Sequence, residues 1–569
     1  MNINAKKSSI AEGGIRLPYA VRMWHTSPEL KFWAFFIGKI YRFYITLELQ
    51  LPIEAYFVEG VILYAYHFIM PKYLVLAAYF FLSPFTSDAK PDFFPTDSTE
   101  TAYLAELKIV GKAFLGEFRP RYVTIYSEKE QAFLRIIDSS RYEFFEVLNK
   151  YRNKLETGFI KEQELEINYY FDKFIAEYPY NYEIYSGKAL PGSSKIIKRL
   201  DKNLDDFNKP DYLQKADFTD YARSFFSLLA NRELKTKQYQ NTDNRVLQVV
   251  WHLLPKYITN TTCLNFWMYD YLYYHIDNVG IKNIDGIYSD FKANCTDTAY
   301  LRKVTDLYSE DSIGRQDHLI KTYKQVGPFQ LDLHIFLPDS STNEKKRPVI
   351  VYFYGGSWSE GKPDWFFYSC QNYAKKGWIA CAVEYRIYSR QGTLPFEAVK
   401  DGRSAIRWLR QHADEYNLDT NRIVASGNSA GGHLALDCAM ADKWNEATDD
   451  LRYSPVPNLL MINSGVYDLT DQNTAWIRKD LKNKDLAKTI SPNYLVRKGL
   501  PPMLIIHGTS DGNVPYNTAK VFAEEMTDEG NPIEFHSLTD ATHFIWLDPK
   551  FSTTVSNIRI AFLKKWGYL

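Results

Sequence analysis

Cysteine is scarce in this chain: five in 569 residues (Cys263, Cys295, Cys370, Cys381 and Cys438), with no Cys-x-x-Cys pair among them. Neither a thiolate zinc site nor a dithiol redox motif can be built from such spacing, so no metal and no other cofactor is implied. Cys381 lies in an apolar run and Cys438 in a helical stretch, where a thiol behaves as a small buried hydrophobe. Cys263 and Cys295 are left as a pair that an oxidising compartment could join. Net charge is also missing, because 68 Lys plus Arg balance 68 Asp plus Glu. Without a basic stripe, nucleic acid is excluded as a partner. A clean apolar run of about 20 residues, the length a membrane helix needs, is absent as well. Residues 33–85 are rich in Phe, Tyr, Leu and Ile, but Lys39, Arg42, Glu48, Glu54, Glu59, His67, Pro71 and Lys72 interrupt them. The repeated short strands of a propeller are not found either.

What is present begins with length. A chain of 569 residues exceeds one hydrophobic core, and about 150 residues per domain gives two to four units. From Met70, "MPKYLVLAAYFFLSPFTSDAKPD" reads as a basic start, an apolar stretch and a small-residue exit at Ser87-Asp88-Ala89, the pattern of a secretory signal peptide over 70–89. The expectation is that residues 1–69 are an upstream extension, that the mature protein begins near Lys90, and that it is a bacterial protein lying outside the cytoplasm, periplasmic or secreted, with envelope association through its amino-terminal region. The alternative is a two-pass membrane anchor over 33–85.

Two textures follow. Residues 90–317 form the first unit, and from about 98 to 310 stretches such as "EQAFLRIIDSSRYEFFEVLNKYRNKL" and "VLQVVWHLLPKYI" repeat apolar positions at spacings of three and four, predicting a mainly helical domain. Its many Tyr and Phe residues could form a carbohydrate platform, but aromatics at helical spacing more often fill a core. Residues 318–569 form the second unit. Eight apolar runs alternate there with helical stretches: "HLIKTYKQV", "FQLDLHIFL", "PVIVYFY", "WIACAVEYR", "RIVASG", "LLMINSG", "MLIIHG" and "IEFHSL". Near-continuous Val, Ile, Leu and Ala in the later runs is how strands covered on both faces read, and the alternation predicts an eight-stranded, mostly parallel sheet with helices on both faces. "DSSTNEKKRP" is expected to be a loop between the second and third strands.

Chemistry concentrates around "RIVASGNSAGGHLAL", residues 422–436. A strand leads into it and a helix out of it, so Ser429 sits at a sharp turn where Gly427 and Gly431 relieve crowding. The amide of Ala430, at a helix amino terminus, faces the place where an oxyanion would form. A second donor set is offered by "YFYGGSW" after the third strand, through the amides of Gly355 and Gly356. A serine hydroxyl needs a base and the base an orienting acid. Asp511 follows the seventh strand in "MLIIHGTSDGNVP" and His543 follows the eighth in "IEFHSLTDATHFIW", the order such a sheet requires. Asp468 and Asp540 are rival acids. His433, His507 and His536 are rival histidines with structural readings.

On "YGGSW", "VEYR", "LPFEAVKDGRSAIRWL", "NRIVASGNSAGGHLAL", "PPMLIIHGTSDGNVP" and "ATHF", the chain from about Leu319 onward resembles the α/β-hydrolase superfamily, specifically carboxylesterases of the hormone-sensitive-lipase and acetyl-xylan-esterase type. The resemblance implies that Ser429 is the nucleophile, His543 the base, Asp511 the orienting acid, and Gly355, Gly356 and Ala430 the oxyanion hole. Tyr354 stands where the family usually has His, and Ser357 where it has a third glycine. Trp358, Trp365, Phe366 and Phe367 either wall a small acyl site or pack as a helix on the sheet; Trp358 is the substrate-binding candidate. The expected substrate is a small-molecule or carbohydrate ester with a short, acetyl-sized acyl group. Alternatives are a peptidase or amidase of the prolyl-oligopeptidase kind, and a binding protein that kept the scaffold without catalysis.

Overall fold

The computed structural model describes residues 98–190, 195–338, 346–470 and 484–569, all within one compact unit that runs from 68 to 569. The signal-like segment 70–89 and the apolar stretch 33–85 lie outside the described residues, as do most of the loop before the third strand (339–345) and part of the segment after the sixth (471–483). Among the described residues, no helix is long and apolar enough to cross a membrane.

The first half is helical, as its periodicity predicts. It comprises α1 (Ser98–Phe118), α2 (Tyr122–Ser127), α3 (Glu130–Tyr151), α4 (Thr157–Ser186), α5 (Ile196–Leu200), α6 (Ala216–Glu233), α7 (Arg245–Tyr257), α8 (Thr261–Asn278), α9 (Asp285–Asn294) and α10 (Thr298–Gly314). Their ends are marked by local chemistry. The Asn260 side chain accepts from Cys263 N at the start of α8, and Asp297 accepts from Ala299 N and Tyr300 N at the start of α10, satisfying amides that a first turn leaves open. The aromatics pack edge to face inside the bundle: Phe114 lies 5.4 Å from Phe171 and 5.6 Å from Phe174, centroid to centroid. Tyr103, Phe118, Phe133 and Trp267 are almost wholly buried. These rings are core, which is where the physics of large apolar area puts them. Cys263 and Cys295 sit in that core as free thiols.

The second half contains β1 (Leu319–Val326), β2 (Phe329–Phe336), β3 (Arg347–Phe353), β4 (Ile379–Val383), β5 (Leu418–Asn428), β6 (Leu459–Asn463), β7 (Met503–Gly508) and β8 (Ile533–Leu538), in the order β1-β2-β4-β3-β5-β6-β7-β8. β2 is antiparallel to β1 and β4, and every later pairing is parallel. Helices α11 (Phe367–Ala374), α12 (Tyr388–Gln391), α13 (Pro395–Gln411), α14 (Ala430–Met440), α15 (Lys484–Lys488), α16 (Tyr516–Asp528) and α17 (Pro549–Lys565) connect or follow the strands. All eight expected strands are present, and β3 starts inside the stretch expected as loop, at Arg347. Val349, Ile350, Val351, Ile379, Ala380, Ile423, Val424, Leu504 and Ile505 are fully buried, as strands covered on both faces must be.

The two halves meet through charges as well as apolar surface. Glu384, at the end of β4, is buried and accepts from Lys282 Nζ at 2.6 Å; it is also paired with Arg390 of α12. Burial alone would raise this carboxyl, but the two cations outweigh it and hold it at about 2. Its folded-state pKa is therefore depressed, so its contribution to stability is complete above about 4.5 and is lost as pH falls from there toward 2. The expected result is an acid-side loss of stability on the order of 3 kcal/mol from this group. Denaturant midpoints measured across that window should fall steeply for wild type and less steeply for Glu384→Gln.

Candidate active site

The turn after β5 is built from glycine. Ser429 takes φ 55° and ψ −125°, a conformation that side chains other than glycine seldom adopt and that marks strain at a functional position. A Cβ on Gly431 would fall 2.0 Å from Phe353 O, and one on Gly427 would fall 2.3 Å from the Gly431 carbonyl, so the elbow can be made only with both positions bare. Ser429 N donates to Asn463 O at 3.1 Å, and His433 N to Ser429 O at 3.1 Å opens α14. The serine is half-buried, and its helix leaves the first-turn amide of Ala430 without an intrahelical acceptor.

The loop after β3 approaches the same turn. A Cβ on Gly355 would sit 3.3 Å from Ser429 Cβ and 3.1 Å from Asn428 O, and Gly356, at φ 110°, would place one 2.2 Å from Glu360 O. Tyr354 stacks on Tyr385 at 4.1 Å. Their hydroxyls bond reciprocally to each other's backbone, Tyr354 OH to Tyr385 O at 3.1 Å and Tyr385 OH to Tyr354 O at 2.6 Å. Tyr354 is thus a post that fixes the loop's root. Ser357 is exposed at φ 55°, in the backbone region a third glycine would favour.

Across the sheet edge, His543 Nδ1 donates to Asp511 Oδ2 at 2.8 Å, and both residues are buried. Gly508 makes this possible, because a Cβ there would strike Ala541 O at 2.2 Å and force the acid loop away from the base loop. Ser510 N donates to Ala541 O at 3.0 Å and ties them together. Asp511 Oδ1 accepts from Asn513 N and Val514 N, each at 2.9 Å. Burial would raise this carboxyl, yet the hydrogen bonds from His507 and His543 outweigh it and hold the group well below the usual carboxylate range. The His543 ring is flanked edge-on by Phe544 at 5.1 Å and Trp546 at 5.9 Å.

The rival residues, His507 apart, have other settings. Asp468 Oδ1 is engaged by Thr470 N and Oγ1 at 2.7 and 2.6 Å, and Asp540 is exposed. His433 is fully buried behind the elbow, 2.5 Å from Ile490 O, with its pKa lowered by burial to about 4. His536 stands on β8 beside Glu534. His507 is more than a strand residue: its Nε2 lies 3.2 Å from Asp511 Oδ2 and 3.2 Å from Val514 O. The acid is therefore held between two imidazoles, and the sequence signal was the spacing of four between His507 and Asp511. Trp358 is buried and meets the His433 ring edge-on at 4.9 Å, which puts it behind the elbow. Phe366 stacks on Tyr352 at 4.6 Å and Phe367 packs 5.3 Å from Phe336, so these two lie on the sheet. Among the described residues no cluster of His, Cys, Asp and Glu is arranged to hold a metal.

The BD-FAE family model matches residues 333–526. A probable isoprenylcysteine alpha-carbonyl methylesterase of Arabidopsis thaliana is 28% identical over 215 residues, 34% of this chain and 44% of that protein. Esterase LipQ of Mycobacterium tuberculosis is 27% identical over 219 residues, 35% of this chain and 50% of that protein. The chain spans about half the length of the curated relatives it matches. Among solved structures, a thermophilic esterase from the Planctomycetes species Thermogutta terrifontis is 34% identical, with 45% of this chain and 94% of that chain covered and a TM-score of 0.42.

Proposed function

With an α/β-hydrolase domain of carboxylesterase kinship over the second half of the chain as premise, we propose that this protein is a serine carboxylesterase cleaving short-chain esters, acetyl groups on carbohydrate foremost, with Ser429, His543 and Asp511 as its triad. The observation that carries the reading is the 2.8 Å bond from His543 to Asp511, on loops that leave the same sheet edge as the Ser429 elbow. In this reading residues 318–569 do the chemistry. Ser429 Oγ adds to the ester carbonyl carbon while His543 Nε2 takes its proton, and the oxyanion rests on the amides of Gly355, Gly356 and Ala430. The imidazolium then protonates the leaving alkoxide oxygen as the C–O bond breaks. Water repeats the cycle on the acyl-enzyme, and Asp511 keeps the imidazole in the productive tautomer throughout.

The resemblance to acetyl-xylan esterases favours a short acyl group, and the expectation of export suits a carbohydrate ester. The residues before the hydrolase half are helices and not propeller blades, which speaks against a prolyl-oligopeptidase-like peptidase. Relatives named as methylesterases make a methyl ester the natural comparison. The test is a substrate panel. Purified protein should turn over p-nitrophenyl acetate and release acetate from acetylated xylan, with a dipeptidyl amide at least about 100-fold poorer by kcat/KM. Amide cleavage at a rate matching acetate release would replace the esterase reading with the peptidase one, and faster methanol release from methyl esters would move the substrate to the alcohol side.

A further inference from the structure

The loop that carries Gly355 and Gly356 is strained and is held from the helical half of the chain. Four of its residues between 356 and 361 have positive φ: Gly356 at 110°, Ser357 at 55°, Trp358 at 55° and Gly361 at 113°. A bulky residue such as Trp in that region persists only where the surroundings over-determine it. Two sets of contacts do so: one comes directly from the helical half, and the other passes through α12, which the helical half grips.

The first set comes from α8 and α10. Gly361 N donates to Asn278 O at 2.8 Å. Lys362, 1% exposed, donates from Nζ to Ile276 O at 2.9 Å and to the equally buried Asp311 at 2.6 Å. The Tyr274 hydroxyl donates to the Glu360 carboxylate. A buried lysine requires a partner of opposite charge, so the chain after Gly361 is pinned to the bundle.

The second set acts through α12. Tyr388 N donates to Trp358 O at 2.8 Å and Ser389 N to Ser359 O at 3.1 Å. α12 is in turn gripped by the segment before α7: Arg390 forks onto Asp243, Nε to Oδ1 at 3.0 Å and the second nitrogen to Oδ2 at 2.6 Å, and Gln391 Nε2 reaches Asp243 Oδ1 at 3.0 Å. Planar bidentate pairing fixes orientation as well as distance. Arg245 occupies the space where Gly392 would carry a Cβ.

We infer that the helical half is a positioning scaffold for the oxyanion loop, with Asp311 and Asp243 as positioning residues that hold the Gly355 and Gly356 amides on target through Lys362 and Arg390. This rests on the esterase reading above. The experiment uses the full chain and compares wild type with Asp311→Asn and Asp243→Asn. Active serines are titrated, p-nitrophenyl acetate kinetics are measured, and a small alkyl trifluoromethyl ketone, which Ser429 adds to with the oxyanion left on those amides, is tested as an inhibitor. A displaced loop should lower kcat per titrated serine by about 10- to 100-fold, leave KM within about twofold, and raise the ketone Ki by the same factor as kcat falls. A merely structural role would reduce the number of active serines and leave Ki unchanged, and that result overturns the inference. Should an aspartate variant fail to fold, Tyr274→Phe, which removes one hydroxyl from a part-exposed ring, is read by the same two numbers. Absence of turnover by wild type sinks the esterase reading and the scaffold role together, whereas turnover with an unchanged Ki sinks only the scaffold role.

Discussion

Replacing Ser429 by alanine is expected to lower turnover of p-nitrophenyl acetate on the order of 10⁶-fold, the scale on which serine hydrolases lose kcat when the nucleophile is removed. The fold should survive the change. Ser429 is half-buried, its backbone is anchored through N to Asn463 O and through O to His433 N, and alanine meets the positive φ with no more bulk than serine. The measurement is kcat alongside the thermal midpoint and circular dichroism of the same preparation. Variant turnover within about tenfold of wild type, on an intact fold, would remove Ser429 from the chemistry and the triad with it.

The second large effect belongs to the acid. Asp511→Asn should reduce kcat by about 10⁴, because an amide that donates to His543 Nδ1 stabilises the wrong tautomer while leaving the geometry in place. Asp468→Asn is the internal control: among the described residues its carboxylate accepts hydrogen bonds from Thr470 and none from a histidine, so kcat should stay within about twofold. Equal losses in both variants, or a loss confined to Asp468→Asn, would reassign the acid. Since Asp511 is held well below the ordinary carboxylate range, its protonation should contribute nothing to acid-side activity loss above about pH 4, and the pH profile of kcat/KM checks this directly.

Much of this is legible in the amino-acid sequence. The sheet could be read because each strand is a short apolar run bounded by turn residues, and covering both faces removes the polar alternation that would otherwise blur it. The elbow could be read because the glycines at 427 and 431 answer to atoms within a few residues or one strand away. Tyr354 could be seen as a departure, but its stacking on Tyr385, 31 residues later, could not. His507 reads as the end of a strand, and its spacing of four from Asp511 is a signal too weak by itself to show that its ring lies against that acid. The aromatic wealth of residues 98–310 left two readings open, and only the packing of Phe114, Phe171 and Phe174 inside the bundle decided for a core.

Sequence alone determined the alternation of strand and helix, the bare glycines at the turn, and the order of serine, acid and histidine along the chain. Those features follow from steric rules and side-chain periods that operate over a few residues. Tertiary structure alone decided which groups hold the loop after β3, because Lys362 finds Asp311 across 51 residues and Arg390 finds Asp243 across 147. Pairings of that kind carry no local signature: a buried cation and its carboxylate are matched by the way the helical and the sheet-bearing halves pack, and any of many acidic residues would look the same in the primary order.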